Sequence, residues 1–172
     1  AWYHIVITGD TTQATNINRL KLYINGTQIA DGDFNSPGYP GQDTNFGFGT
    51  SDFNFCFGVS TPGTTNDPFS GKISHAHFVD GEAYAASTFG STDSTTGEWK
   101  INTSPTITEY GANGFFMFKD DASLNDDSGK GNNFTLVGTI IPTQDNPSNN
   151  FAVINFLNPN AGSNLVFSGG NS

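Results

Sequence analysis

The chain has 172 residues, of which 34% are hydrophobic and 13% charged, and it carries a formal net charge of -10. So anionic a surface repels phosphate backbones, so nucleic acid is not an expected partner. No apolar run is long enough to span a bilayer, so membrane insertion is not expected either.

The charged share is low against the roughly 25% of an ordinary globular domain. Polarity comes instead from Asn, Thr, Ser and Gly. With 21 Gly, 8 Pro and 16 Phe, the chain favours strands and turns over helices. The single cysteine, Cys56, rules out an intrachain disulfide and reads as a small buried hydrophobe in "FNFCFGV". Ala1 and Trp2 already lie in a strand pattern, which suggests a fragment or a processed chain.

In chain order, "WYHIVIT" (2–8) alternates, with Tyr3, Ile5 and Ile7 on one face and Trp2, His4 and Val6 on the other. A polar loop leads to "RLKLYINGTQIA" (19–30). There Asn25-Gly26 separates two strand-like runs and predicts a hairpin, because a type I′ turn needs two positive φ angles. Residues 31–52 read as a long loop with short extended pieces. Strands are predicted over 53–59 and 69–81. In the second, the spacing of Ile73, Ala76 and Phe78 predicts a β-bulge.

"EAYAASTFG" (82–90) holds the one expected helical turn. "GEWKI", "GFFMFK" (114–119) and residues 134–137 are further predicted strands, and "FAVINFL" and "SNLVFSG" add two strand-like runs. Residues 142–150 have a linker's composition. The expected organisation is therefore a β-rich segment over 1–141, a linker over 142–150, and over 151–172 either a following module or closing strands. Many short strands with Gly-rich turns predict an all-β, antiparallel sandwich or barrel.

"SLNDDSGKGNNFTLVG" (123–138) is the most suggestive stretch for chemistry. As a phosphate loop it lacks the first glycine at the required spacing, the hydroxyl after Gly-Lys and a following helix. As an EF-hand loop it has Gly129 at the third ligand position and no closing Glu. No G-x-S-x-G nucleophile elbow occurs. Glu82, Glu98 and Glu109 stand apart rather than alternating on one strand, so the paired carboxylates of a glycoside hydrolase are not in evidence. His75 and His77 alternate as a same-face imidazole pair, without an identifiable third ligand for a transition metal.

Three stretches resemble concanavalin-A-like, laminin-G-like lectin domains: "AWYHIVITGD…RLKLYINGTQIA", "FSGKISHAHFVDGEAYAASTFG" and "DDSGKGNNFTLVG". In ordinary laminin-G-like domains the last motif comes first, and here it comes last. That arrangement, with "STDSTTGEWK", "YGANGFFMFKDDAS" and "DNPSNNF", resembles modules of tail-fibre and other virion surface proteins of marine and cyanobacterial phages. The resemblance implies a concanavalin-A-like jelly-roll sandwich, incomplete in this chain. It implies a non-catalytic structural or adhesion role at the virion surface, with other virion protein subunits and host-surface glycan as partners, and a homo-oligomer.

The resemblance also implies rim Ca²⁺ held by Asp31, Asp33, Asp126 and Asp127, with Asp10, Asp120 and Asp121 as further candidates. The competing reading is that these residues only shape turns. Tyr39, Trp99 and Tyr110 are the candidate sugar-stacking aromatics. Two rivals stand beside this reading. One is a secreted bacterial carbohydrate-binding or adhesin module, which flanking genes would reveal. The other is a glycoside hydrolase with its carboxylates outside the chain, which release of reducing sugar would reveal.

Overall fold

The computed structural model describes residues 2–33, 38–47, 55–59, 68–119, 123–143 and 147. Within them the protein is all-β. Seven short strands form three antiparallel sheets, with three single-turn 3-10 helices and no α-helix. The strand-like runs 151–157 and 163–169, most of the 142–150 stretch, and Asp120 and Asp121 lie outside the described residues.

The first sheet has the order β1-β2-β3, from β1 (Ile5–Gly9), β2 (Leu20–Ile24) and β3 (Thr27–Gln28). The Asn25-Gly26 turn forms as expected, with φ of 48° and 76°. The first angle is unusual for a residue with a side chain, and Asn25 offsets it by accepting the His4 backbone N–H at its Oδ1, 2.8 Å. Gly26 is required twice over. Its φ is positive, and the Trp99 ring lies where a Cβ would stand.

The period-two alternation of β1 is real. Val6 is buried, whereas Ile5 and Ile7 are 61% and 68% exposed. The His4–Val6 side therefore faces inward. Trp99 accounts for this choice. It donates from Nε1 to His4 Nδ1 at 3.0 Å and stacks on the imidazole with centroids 5.8 Å apart.

The second sheet pairs β4 (Ala76–Phe78) with β7 (Phe115–Met117). β7 is the centre of the core, since Phe115, Phe116 and Met117 are all buried. The strand predicted over 69–81 is shorter than expected. Its ladder stops where His75 faces Phe118, and both have left-handed backbone, at φ 51° and 59°. The β-bulge predicted from the Ile73–Ala76–Phe78 spacing is not seen, because β4 pairs with β7 residue for residue and His75 continues that register opposite Phe118.

The third sheet pairs β5 (Gly90–Thr92) with β6 (Trp99–Ile101). The turn expected within 82–90 is the 3-10 turn Ala86–Thr88.

Two predicted strands are corrected. Residues 55–59 form a bend rather than a strand. Phe55 and Phe57 serve the core through their rings: Phe55 lies 4.5 Å from Phe78, and Phe57 lies 5.2 Å from both Phe118 and Phe134. Cys56 is half-buried, with its Sγ 3.1 Å from Val59 O. Residues 134–137 are also not a strand. One backbone bond, Phe134 N to Leu124 O at 2.9 Å, holds the start of that stretch, while Val137 is 77% exposed and brings no apolar face to a neighbour.

Candidate functional site

A shallow pocket of about 90 Å³ lies beside the first sheet. Ile17 and Asn18 come from the 3-10 turn Asn16–Asn18, Leu20 and Lys21 from β2, Gln28 from β3, and Ile29 follows directly. Asp31 opens the 3-10 turn Asp31–Asp33, and Tyr39 reaches in from the next loop. Tyr39 Oη donates to Asp31 Oδ1. The neighbouring carboxylate raises the phenol's pKa above its ordinary value.

Arg19 fixes the geometry of this corner. Its guanidinium donates to Gln13 O at 2.8 Å, Ala14 O at 2.8 Å and Pro40 O at 3.0 Å. Arg19 thus ties the loop bearing Tyr39 to the loop after β1, using the planar fork that lysine lacks. Asp43 N to Thr11 O at 2.9 Å adds a second tie. The pocket therefore joins one aromatic ring, one carboxylate, one ammonium and two amides to an aliphatic floor. That mixture can pack against the apolar face of a ring while bonding its hydroxyls.

Of the residues singled out in the sequence, Tyr39 and Asp31 meet here. Asp33 lies exposed at the far end of the same turn. Trp99 and Tyr110 lie elsewhere. Trp99 is a packing residue, covering Gly26 and Gly90 and bonded to His4. Tyr110 Oη shares a 2.8 Å hydrogen bond with His77 Nδ1. Lys21, Gln28 and Asn18 complete the pocket, and no local signal marks them, since they converge only through the hairpin and the loop folding over it.

Asp126 is a staple. Its Oδ1 accepts Phe116 N at 2.9 Å and Ser128 N at 2.8 Å, and its Oδ2 accepts Ser128 Oγ at 2.8 Å and Asn132 N at 3.0 Å. Asn132 Nδ2 donates on to Ala112 O and Gly114 O, at 2.9 and 2.8 Å. "DDSGKGNN" is thus a turn that locks itself onto β7. Asp127 is exposed, and its backbone N–H donates to Phe116 O at 2.9 Å.

Asp10 is likewise engaged, with Thr12 and Gln13. Glu109 accepts from Lys130 Nζ and Gly111 N. Among the described residues no group of three or more His, Cys, Asp or Glu gathers as a metal shell. Nor is any helix there long and apolar enough to cross a membrane.

His75 and His77 both flank the Phe116 ring, the latter stacked at 3.9 Å. Burial is the main cause that lowers the His77 pKa from 6.5 to about 4, helped by the neighbouring His75 and His4. Burial also raises Tyr110 to about 12, so the phenol stays protonated beside the ring. The unfolded chain takes up a proton at His77 near pH 6.5, and the folded one only near pH 4. Stability tied to His77 is therefore complete above pH 6.5 and falls as pH drops towards 4. A loss of about 2 kcal/mol is expected across that window, discounted for partial solvent access. Urea midpoints measured through this range should show the loss, and His77→Gln should reduce it to the share of His4, whose pKa burial also lowers.

No family model, no curated protein and no solved structure matches the chain.

Proposed function

We propose that this chain is a non-catalytic adhesion module of a phage virion protein, exposed on the tail or capsid surface, that binds host-surface glycan through the Tyr39–Asp31 pocket. The module is a concanavalin-A-like jelly-roll sandwich, of which the three antiparallel sheets are parts. The virion context is supported by the order and spelling of the lectin-like motifs. The observation that carries the binding role is the pocket itself, where Tyr39 and Asp31 converge with Lys21 and Gln28 over Ile17, Leu20 and Ile29.

Its size sets the manner of binding. About 90 Å³ is room for roughly three waters. The pocket therefore takes one edge of a sugar ring and leaves the rest in solvent. Each contact is individually weak, and adhesion relies on several modules acting together.

An array of bacterial surface polysaccharides tests this reading. The native chain should bind a subset of glycans. Tyr39→Ala and Asp31→Ala should each weaken that binding about tenfold or more, the loss of one stacking or charge-assisted contact. Absence of any binding by the native chain, or binding unaffected by both substitutions, sinks the glycan reading. Antibody labelling of purified virions tests the location independently.

A further inference from the structure

β1 is the outermost strand of its sheet. Asn25 N bonds to His4 O at 2.8 Å and Asp10 N to Arg19 O at 2.9 Å. In an antiparallel ladder these bonds mean that His4, Val6, Thr8 and Asp10 turn their peptide groups towards β2. Ile5, Ile7 and Gly9 therefore turn theirs outward, and among the described residues no strand pairs with that edge.

The side chains beside this edge are apolar. Tyr3 is 67% exposed, in line with Ile5 and Ile7. The register places Ile24 opposite Ile5 and Leu22 opposite Ile7 on the same face. The strand, "IVITG", has no charge, no proline and no bulge, which are the usual guards of an open edge.

Three features select the occupant. An open edge with alternating side chains takes an extended strand. The chain carries a net charge of -10, so two copies repel over most of their surface. β1 is uncharged, so a second copy meets no like charge along it. The strand is also self-complementary. A two-fold axis normal to the sheet keeps Ile5 and Ile7 of both copies on one face, with Ile5 opposite the partner's Ile7.

We propose that two copies of this chain pair antiparallel, β1 to β1, into one six-stranded sheet of order β3-β2-β1-β1-β2-β3. Pairing satisfies the outward peptide groups of Ile5 and Ile7 and doubles the width of the Tyr3–Ile5–Ile7–Leu22–Ile24 strip. The Tyr39–Asp31 pocket, lined from β2 and β3, stays open on both copies. With strands about 4.8 Å apart, the two β3 strands stand roughly 24 Å apart. The inference does not depend on the sugar reading, because it rests on β1 alone.

Sedimentation velocity from micromolar to millimolar concentration tests it. The native chain should sediment as a dimer, Ile7→Lys as a monomer at every concentration, and Ile141→Lys, placed on another exposed apolar residue, as a dimer. A native chain that stays monomeric, or an Ile7→Lys variant that still dimerises, overturns the proposal. Amide hydrogen exchange gives a check without substitution. The Ile5 and Ile7 amides should be protected when concentrated and lose protection on dilution. Amides that exchange freely at every concentration contradict the pairing.

Discussion

Phe115→Ala is expected to lower the free energy of unfolding by about 3–5 kcal/mol, the cost of deleting a large aromatic from a packed core. Phe115 is 4% exposed. Its ring meets Phe134 at 5.0 Å, Phe55 at 5.3 Å and Phe57 at 6.0 Å, each edge to face, and lies 5.6 Å from Phe78. Those four rings come from three separate stretches of chain. Removing the central one leaves a cavity that no single neighbour can fill by shifting. The check is a urea titration in which the midpoint falls and the slope is unchanged. Val137→Ala, at 77% exposed, is the control and should stay within about 0.5 kcal/mol.

Asp126→Ala is expected to cost about 3 kcal/mol, because four donors aimed at one carboxylate lose their acceptor together. Two of them, Phe116 N and Asn132 N, belong to different segments. The substitution therefore detaches the 126–132 turn from β7 as well as loosening it. Hydrogen exchange at Phe116 should quicken more than at Met117.

The same group has a distinct pH signature. Burial raises the Asp126 pKa, but the donors outweigh it and hold the carboxyl below its ordinary 3.8. For a depressed carboxylate, the added stability is present above the unfolded value and is lost as pH falls through the folded one. That loss begins below about pH 4, after the His77 loss between 6.5 and 4 is complete. Acid denaturation should therefore show two limbs, and Asp126→Ala should lessen only the lower one, since hydrogen bonds also hold the carboxyls of Asp10, Asp93 and Glu109 below their ordinary values.

The hairpin at Asn25-Gly26 was legible because its cause is local: two positive φ angles restrict the residue choice at two adjacent positions. The alternation of β1 was legible for the same reason, but not which face is inward. The His4 side faces in because Trp99, distant in sequence, stacks on His4 and bonds to it. β5 left no mark, since "GST" carries little apolar signal and pairs only because β6 lies beside it. Residues 55–57 read as a strand because core-seeking Phe residues look alike in a strand and in a bend.

The site was legible in halves. Tyr39 stood out as an aromatic in a polar loop and Asp31 as a clustered carboxylate, each for a different expected role. Their meeting depends on Arg19 holding two loops together, which no spacing encodes. Trp99 and Tyr110 had the right chemistry for stacking on sugar, but His4 and His77 hold them. Asp126 resembled a cation ligand because a carboxylate followed by Ser, Gly and Asn serves equally well to gather backbone N–H groups in a turn.

The most direct test of the binding account is two-dimensional amide NMR of the labelled chain, titrated with an oligosaccharide from the best-bound array glycan. The account predicts saturable shifts confined to Leu20, Lys21, Gln28, Ile29, Asp31 and Tyr39, and absent in Tyr39→Ala. Saturable shifts centred on Trp99 or Tyr110 instead, with the Tyr39 corner unmoved, would contradict it.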